Sequence, residues 1–443
     1  MPQEATVPQH ALVSSVHSIR VEVLEGPDAG HSRLAGPETE SDQVTVGTAA
    51  GNLLTLTDPT VSRYHVELGR DPSGVLVVDH GSTNGTLAGA VRIHRAVVPS
   101  GTVLRLGGTA VRVSDGERMP LELFDGETLC GLHGSSPVMR RLMAQIKRVA
   151  RTDVPVLLIG ESGTGKELIA RALHELGARA RAPFVTVDCG SLAPTLVASE
   201  LFGHERGSFT GAERQHQGAF ERAHGGTVFL DELGELPASL QPALLGVLER
   251  RRFRRVGGRS DITVDVRIVS ATHRDLRAEV NAGTFRLDLY YRIAVVLMKV
   301  PALRERPEDL PLLVDHFLRE CGHTGAVEAL FNPGTMEALG AHHWPGNVRE
   351  LRNMIETTVA MGEAPRIEDA ISGPGGGDQA RDPYAGVLGL SYKEARSSVL
   401  RQFERRYLGH LVEKSGGNVS RAARDARMDR SHLIDLLRLH EIK

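Results

Sequence analysis

The stretch VPVLLIGESGTGKELIARAL, residues 154–173, joins an apolar run, a glycine-rich turn and an amphipathic segment. Its centre has the pattern Gly-x4-Gly-Lys between a predicted strand and a predicted helix, which is the setting of a phosphate-binding loop. Backbone N–H groups of such a turn point at phosphate oxygens, and the helix N-terminus adds partial positive charge. We therefore predict an α/β domain that binds ATP, with Lys166 reaching the β- and γ-phosphates.

The predicted nucleotide-binding residues cover the whole loop and the start of the helix. They are Gly160, Glu161, Ser162, Gly163, Thr164, Gly165, Lys166 and Glu167. Glu167 occupies the position at which this pattern usually has a Ser or Thr that binds Mg²⁺, so that hydroxyl contact is missing.

An acidic pair ends a second apolar strand, GGTVFLDE, residues 225–232. A carboxylate at the end of such a strand can hold Mg²⁺, and the next one can orient or deprotonate the attacking water. Without a phosphate-binding loop earlier in the chain, such an acidic pair would more often lie in a solvent-exposed turn with no catalytic role. Following a phosphate-binding loop, it predicts ATP hydrolysis with Asp231 on Mg²⁺ and Glu232 on the water.

A length of 443 residues indicates two to four domains. A composition with 41% hydrophobic and 24% charged residues is typical of globular domains. The three cysteines are too few and too scattered for a disulfide framework or a zinc site. Neither a signal peptide nor a membrane span is recognisable, so we expect a cytoplasmic protein without a membrane partner. Residues 391–443 contain twelve basic and seven acidic residues, which favours a polyanionic partner there.

The predicted elements divide the chain into five segments. Short strands (IRVEVL, LLTL, VELG, VLVVD, VRIH, TVLRL and AVRV) predict an all-β sandwich over residues 16–115. Alternating strands and helices over 131–300 predict a parallel sheet with crossover helices, and helices alone follow over 301–366. The Gly/Pro-rich stretch within 367–390 indicates a flexible linker, and 391–443 is mostly helical.

The segment GSFTGA brackets one aromatic residue, Phe209, and the hydroxyl residues Ser208 and Thr210 with glycines. Glycines often serve tight turns, and a lone Phe more often packs into a core than faces a partner. The six residues by themselves therefore leave two interpretations open, a structural turn and a movable contact loop.

Five motifs in this order resemble the central AAA+ domain of the sigma-54-dependent transcription activators, from about residue 131 to the 360s. They are GESGTGKE, ELFGHERGSFTGA, GGTVFLDE, FRLDLYYR and WPGNVRELRN. The resemblance implies an ATPase ring that remodels the closed complex of sigma-54 RNA polymerase with its promoter. It also implies that the glycine-bracketed loop contacts sigma-54 through Gly207, Ser208, Phe209, Thr210, Gly211 and Ala212.

Other roles follow from the same resemblance. Arg286 and Arg292 are expected to reach the neighbouring subunit's nucleotide, Arg349 to act as a sensor in the helical lid, and RRFRRVGG, residues 251–258, to form a second pore-side loop. The chain departs from the family at Asp188 and His273, where relatives often have Asn, and at Ser208, where they usually have Ala. We expect the first two changes to alter the hydrolysis rate.

The C-terminal stretch 416–443 predicts helices over 419–426 and 430–440 joined by a tight turn. This pattern is typical of a helix-turn-helix whose second helix enters a major groove, although a three-helix dimerisation bundle remains the alternative. The segment resembles the all-α Fis-type helix-turn-helix that ends most of these activators and binds upstream DNA; Arg427 replaces the glycine common in its turn. The candidate DNA contacts are Arg421, Arg424, Arg430, Ser431 and His432.

VSRYH, residues 61–65, and HGSTNGT, residues 80–86, resemble the forkhead-associated (FHA) domain, a β-sandwich that binds phosphothreonine peptides. Ser62 and Arg63 offer a hydroxyl and a cation for the phosphate, and Asn84 can hold the peptide backbone. Thr48 stands where the family has an arginine, so a purely structural sandwich is the alternative. The chain has no receiver-type aspartate pattern, and we expect its input from a phosphothreonine protein or a serine/threonine kinase.

Two rival functions remain at this stage. One is a DNA-bound regulator with an idle ATPase, and the other is an AAA+ unfoldase or helicase. The GSFTGA loop and the terminal helix-turn-helix favour an activator whose partners are sigma-54, RNA polymerase and upstream DNA.

Overall fold

The structure is a computed structural model that describes residues 14–36, 43–71, 73–190, 193–210 and 212–362, together with Leu408, Ala423, Met428, Leu433 and Leu437. The chain divides into two compact units, Met1–Ile367 and Glu368–Lys443. In the described part of the chain, none of the helices combines the length and apolar character needed to cross a bilayer. The three cysteines are free thiols.

The N-terminal part of the first unit is a β-sandwich. Its strands are β1 (Ser14–Glu25), β2 (Ser32–Ala35), β3 (Val44–Gly47), β4 (Leu54–Thr55), β5 (Val66–Asp71), β6 (Gly74–Asp79), β7 (Thr86–Ala88), β8 (Val91–Ile93), β9 (Arg95–Val98), β10 (Val103–Leu106) and β11 (Thr109–Leu121). One sheet has the order β2-β1-β11-β10-β7-β8, and the other has the order β4-β3-β5-β6-β9. Alternate residues of both sheets, such as Val66 and Leu68 of β5, form one shared core.

The all-β prediction for this part is confirmed, but β2, β3, β7 and β9 were not predicted. Each of them has only three or four residues. Alternation between apolar and polar positions is hard to recognise over so few residues.

The second part of this unit is an α/β domain. Its elements are β12 (Thr128–Leu129), β13 (Leu132–His133), α1 (Pro137–Ala150), β14 (Val156–Ile159), α2 (Lys166–Glu175), β15 (Phe184–Asp188), α3 (Pro194–Phe202), α4 (Ala219–Arg222), β16 (Thr227–Asp231), α5 (Gln241–Arg250), β17 (Arg252–Phe253), β18 (Ile262–Thr263), β19 (Arg267–Thr272), α6 (Leu276–Ala282), α7 (Leu287–Ile293) and β20 (Val296–Lys299). A short 3-10 helix, Leu233–Glu235, follows β16.

The central sheet of this domain has the order β15-β16-β19-β14-β20, and all of its strand pairs are parallel. Because helices cover both faces of a parallel sheet, its inner strands are almost entirely buried, and every residue of β19 is buried, including the polar Arg267, Ser270 and Thr272. The carboxyl ends of parallel strands meet at one edge of the sheet, where ligands of such domains bind. That edge brings together Gly160, Asp188, Asp231 and His273.

Helices follow the sheet, as predicted. They are the 3-10 helices Leu303–Glu305 and Pro307–Asp309, then α8 (Leu310–Glu320), α9 (Val327–Leu330), α10 (Pro333–Ala341) and α11 (Asn347–Met361). The lid helix α11 begins beside the phosphate-binding loop, since the backbone N–H of Val348 donates to the carbonyl of Gly163 at 3.0 Å.

The predicted linker, all five candidate DNA contacts and most residues of the two predicted helices lie outside the described residues. Leu408, Ala423, Leu433 and Leu437 of the second unit are helical and buried. The helix-turn-helix stays a prediction.

Candidate functional sites

The predicted phosphate-binding loop connects β14 to α2. Gly163 and Gly165 have φ angles of 76° and 99°, a left-handed conformation that side chains rarely adopt. A Cβ at Gly163 would lie 2.2 Å from the carbonyl oxygen of Gly346, so this glycine also permits the lid to approach. Gly165 is the N-cap of α2, which directs that helix's N-terminus into the loop.

Lys166 is held inside the loop. Its Nζ donates to the carbonyls of Gly160 at 2.9 Å and Glu161 at 3.1 Å, and only 7% of the residue is exposed. Burial lowers the pKa of Lys166, although Glu232 and Asp231 oppose that effect. Glu167, by contrast, points outward and pairs with Arg171 at 3.3 Å.

The acidic pair lies across from the lysine. Oε1 of Glu232 is 4.0 Å from Nζ of Lys166, and Oδ1 of Asp231 accepts the backbone N–H of Glu232 at 3.0 Å. Burial raises the pKa of Asp231. Glu232 has a φ of 47°, which is unusual for a residue with a side chain and is found mostly at functional sites.

His273 contacts the glutamate directly. Its Nδ1 lies 2.6 Å from Oε2 of Glu232. Asp188, the other position at which relatives often have Asn, accepts the backbone N–H of Gly190 at 2.8 Å. The sequence singled out both departures, but it did not predict that His273 binds Glu232.

The lid reaches the loop through side chains as well. Arg349 donates to Oγ of Ser162 at 3.1 Å. The fully buried Asn347 donates to the carbonyl of Ser162 at 3.0 Å and to Glu161 at 3.1 Å. Asn347 lies within the WPGNVRELRN motif, but no pattern in the sequence singled it out as a site residue.

The two candidate arginine fingers flank helix α7. Arg286 is its N-cap and pairs with Asp288, with nitrogen-to-oxygen distances of 3.0 and 2.6 Å. Arg292 lies in the last turn and is exposed. Both side chains are therefore on the surface.

The GSFTGA loop projects between α3 and α4. The backbone N–H of Gly207 donates to the carbonyl of Ala212 at 2.8 Å, which closes the loop at its base. Phe209 is half-buried against the ring of His204, with a centroid distance of 4.9 Å, and Thr210 is exposed. Gly211 lies outside the described residues.

The RRFRRVGG segment supports this loop. Its strand β17 pairs with β18 as a hairpin, and the backbone N–H of Glu205 donates to the carbonyl of Val256 at 3.1 Å. Arg255 forms ion pairs with Glu205 at 2.8 Å and with Glu221 at 2.6 Å. A Cβ at Gly257 would lie 2.7 Å from Cβ of Ser208, so the two loops pack in close contact.

The candidate phosphopeptide residues lie on adjoining loops at one end of the sandwich. Oγ of Ser62 accepts the backbone N–H of Thr83 at 3.0 Å, and Nδ2 of Asn84 donates to the carbonyl of Thr60 at 2.7 Å. The backbone N–H of Thr48 donates to the carbonyl of Ser62 at 3.0 Å. Ser62, Asn84 and Thr48, the position at which the FHA family has an arginine, are therefore neighbours.

A buried histidine, which the sequence analysis did not single out, holds these loops together. His65 accepts the backbone N–H of Ser62 on Nδ1 at 3.1 Å, and its Nε2 lies 3.2 Å from the carbonyl of Gly85. This pairing requires the neutral ring with its proton on Nε2. Burial lowers the pKa of His65 accordingly.

Comparison with known protein families matches three parts of the chain. A model of the sigma-54 interaction domain matches residues 132–299, a model of the AAA+ ATPase lid domain matches residues 304–370, and a model of the FHA domain matches residues 44–107.

Several known proteins are similar over most of the chain. The transcriptional regulatory protein GlrR of Escherichia coli (strain K12) is 47% identical over 309 residues, which are 69% of this chain and 67% of GlrR. The response regulator protein PilR of Pseudomonas aeruginosa is 41% identical over 341 residues, 76% of this chain and 74% of PilR. The crystal structure of NtrX from Brucella abortus in complex with ADP has a TM-score of 0.51 and 37% identity and covers 70% of each chain. The NtrX complex with ATP gives the same score and identity and covers 70% of this chain and 69% of NtrX.

Proposed function

This chain belongs to the sigma-54-dependent transcriptional regulators with an AAA+ ATPase domain and an FHA domain, and from that premise we propose what its individual sites do. ATP hydrolysis at the sheet edge moves the GSFTGA loop against sigma-54, which opens the closed promoter complex. The observation that carries this proposal is the arrangement of Lys166, Asp231, Glu232 and His273 at one edge, with Arg349 reaching the same loop from the lid.

The nucleotide's phosphates lie in the loop of residues 160–167, where Lys166 and the N-terminus of α2 face their negative charge. Glu232 orients the attacking water and accepts its proton as the bond from the γ-phosphorus to the ADP oxygen breaks. Its constrained backbone, together with the contact from His273, holds that carboxylate in one place. Arg349 reports the state of the nucleotide to the lid through Ser162.

Mg²⁺ fits the donors at this edge. Proteins usually hold Mg²⁺ through one or two carboxylates plus phosphate oxygens. Asp231 offers one carboxylate, and the described residues contain no cluster of three or more side chains able to hold a metal without a nucleotide. The ion would neutralise charge on the phosphates, with Asp231 as its protein ligand.

Arg286 and Arg292 serve a neighbouring subunit. Hydrolysis needs positive charge on the γ-phosphoryl group beyond what the phosphate-binding loop supplies. Because both arginines are exposed on α7, they are placed to act across a subunit boundary in a ring.

The loop of residues 207–212 contacts sigma-54. Thr210 is exposed at its tip, and Phe209 presents a half-buried apolar ring that can leave His204 for a partner surface. The segment that follows β17 supports the loop through the hydrogen bond between the backbone N–H of Glu205 and the carbonyl of Val256. This arrangement favours a contact loop over a structural turn.

The C-terminal segment binds upstream DNA through Arg421, Arg424, Arg430, Ser431 and His432. The basic charge of residues 391–443 supports this assignment, because phosphate neutralisation by Lys and Arg dominates DNA affinity. The FHA domain receives a phosphothreonine signal at Ser62, Arg63 and Asn84. The input would be a phosphothreonine protein or a serine/threonine kinase.

In vitro transcription with purified sigma-54 and core polymerase tests the proposed function. We expect open complexes on a sigma-54 promoter with ATP and none with a non-hydrolysable analogue. Open complexes that form equally well with the analogue would instead support a DNA-binding regulator whose ATPase is idle.

A further inference from the structure

The phosphopeptide end of the FHA sandwich is packed against the AAA+ domain. Tyr64, which follows Arg63, is only 2% exposed, and it belongs with Ala49 to the hydrophobic core of the AAA+ domain rather than to the core of the sandwich. Its ring meets Tyr290 of α7 edge-on at a centroid distance of 5.2 Å. The contact is therefore a closely packed interface.

Asn281 of α6 binds the FHA loops at three backbone positions. Its Oδ1 accepts the N–H of Tyr64 at 3.3 Å, and its Nδ2 donates to the carbonyls of Tyr64 at 2.6 Å and His80 at 2.9 Å. An extended peptide ligand would offer amide groups of the same kind. The helix thus satisfies backbone groups of two FHA loops.

Charged groups close the interface around this asparagine. Arg277 forms an ion pair with Glu67 of the sandwich, and both side chains are largely buried. Nδ1 of His80 lies 2.6 Å from Oδ2 of Asp275, the N-cap of α6. Buried charged side chains need partners of opposite charge or hydrogen bonds. In the docked state, helix α6 and its N-cap supply these partners to Glu67 and His80 of the sandwich.

Arg63, the candidate phosphate ligand, also contacts α6. Its guanidinium donates to the carbonyl of Val280 in α6 at 3.3 Å. A phosphate would attract this cation far more strongly than a neutral carbonyl does. Moving Arg63 onto a phosphate therefore removes one contact of the docked state, and a bound peptide would also approach the loops that Asn281 holds.

The docked FHA loops lie beside α7, the helix that contains the candidate arginine finger Arg292 and is called the finger helix below. The hydroxyl of Tyr291 accepts the backbone N–H of Gly51 at 3.2 Å, and Tyr291 directly precedes Arg292. A Cβ at Gly51 would lie 2.5 Å from the Tyr291 ring, so no side chain fits there in the docked state. A neighbouring subunit that receives Arg292 must approach the place where the sandwich sits.

We propose that helices α6 and α7 of the AAA+ domain and a phosphothreonine peptide compete for the same FHA loops, and that the docked sandwich restrains the finger helix until a peptide displaces it. The proposal rests on the proposed phosphothreonine function of the FHA domain. It assigns α6 as the partner of the sandwich within the same chain. It also predicts that phosphopeptide binding activates ATP hydrolysis.

Two variants of the full chain loosen the interface from opposite sides. Asn281→Ala removes the three backbone contacts from the AAA+ side, with Asn353→Ala on the exposed face of α11 as its control. Gly51→Leu introduces a side chain that clashes with Tyr291, with Gly340→Leu as its control because nothing lies within 4 Å of a Cβ there. Thermal melts establish that all four proteins fold.

The first measurement needs no peptide. In both interface variants we expect faster hydrogen exchange at the amides of Gly51 and Tyr64, and a several-fold higher ATPase rate per subunit at low protein concentration. The two control variants should match the wild-type chain. Unchanged exchange and ATPase rates in both interface variants overturn the proposed restraint.

The second measurement uses a degenerate phosphothreonine peptide mixture and the same mixture with unmodified threonine. We expect the interface variants to retain the phosphorylated mixture about ten-fold more tightly than the wild-type chain, because apparent affinity falls with the fraction of binding-competent protein. Equal retention by wild type and variants, with a preference for phosphate, overturns the competition and leaves the phosphothreonine function standing. No preference for phosphate in any of these proteins contradicts that function itself and the competition with it.

Discussion

Nδ1 of His273 lies 2.6 Å from Oε2 of Glu232, so the residue that directly follows β19 contacts the proposed catalytic carboxylate. We propose that His273 donates to Glu232 and fixes the position of its carboxylate, because an ionised carboxylate can only accept hydrogen bonds.

Replacing His273 should slow hydrolysis without weakening nucleotide binding. We expect His273→Ala to lower kcat by about 10- to 100-fold with little change in KM, since a small misplacement of a catalytic group costs that much. His273→Asn, which keeps a donor, should recover most of the rate. Steady-state ATPase kinetics provide the measurement, with the exposed His343→Ala as control. An unchanged kcat in His273→Ala would show that the contact has no catalytic role.

The lysine and the glutamate should fail in different ways. Lys166→Ala removes the cation that grips the phosphates, so we expect loss of both ATP binding and turnover. Glu232→Gln keeps the shape of the side chain but cannot accept a proton, and it should retain ATP without hydrolysing it. Equilibrium binding of a labelled ATP, alongside turnover, separates the two results. Normal hydrolysis by either variant contradicts the assignment of the site.

Thr210 is exposed in a loop that packs against His204 and Gly257, and neither of these belongs to the proposed hydrolysis site. Thr210→Ala should therefore leave ATPase activity within about two-fold of wild type, as surface substitutions usually do, while eliminating open-complex formation. Thr357→Ala, at an exposed position of α11, is the matched control. If Thr210→Ala lost hydrolysis together with transcription, the loop would be structural.

Thr48 leaves the phosphopeptide site one cation short. Because a hydrogen bond to a charged group contributes ~1.5–3 kcal/mol, Thr48→Arg should tighten phosphothreonine binding by about ten-fold or more. Ser62→Ala should weaken it, since Oγ of Ser62 accepts the backbone N–H of Thr83 and is also a proposed hydrogen-bond donor to the phosphate. Calorimetric titration with phosphorylated and unmodified peptides tests both variants. Failure of Thr48→Arg to create or raise a preference for phosphate would identify the sandwich as a scaffold.

Docking of the sandwich should depend on pH through His80. Burial opposes its charged form, but the hydrogen bond to Asp275 and the carboxylate of Glu67, 3.7 Å from Nε2, outweigh that effect and raise the pKa of His80 above its ordinary 6.5. The surrounding cavity of about 170 Å³ is also lined by His273, Arg274, Arg277 and Lys299. A raised pKa in the docked state means that docking is strongest below pH 6.5 and weakens as pH rises through the raised value.

Hydrogen exchange at the Tyr64 amide, corrected for the intrinsic rate at each pH, measures this dependence. We expect protection to fall as pH rises in the wild-type chain and to be low and nearly flat in His80→Gln. His343→Gln should behave as wild type. Protection in the wild-type chain that stays constant across this range would exclude His80 as the responsible group.

Local patterns in the sequence were sufficient for the fold classes and singled out the residues that the structure brings together at the edge of the parallel sheet. The glycines of the phosphate-binding loop, the acidic end of β16 and the VSRYH stretch are contiguous, and their chemistry depends on spacing along the chain. Parallel strands bring their carboxyl ends together, so even the meeting of Lys166, Asp231 and Glu232 follows from the order of strands and helices.

Which residues of different segments meet was decided only by the tertiary structure. His273 binds Glu232 across 41 residues, and Asn281 binds Tyr64 across 217 residues. Tyr64 shows the limit most clearly: alternation within its own segment cannot tell which of two cores receives it, and in the fold it packs into the AAA+ domain. Such contacts depend on how two complete surfaces fit, because packing and the pairing of buried charges are properties of both surfaces together.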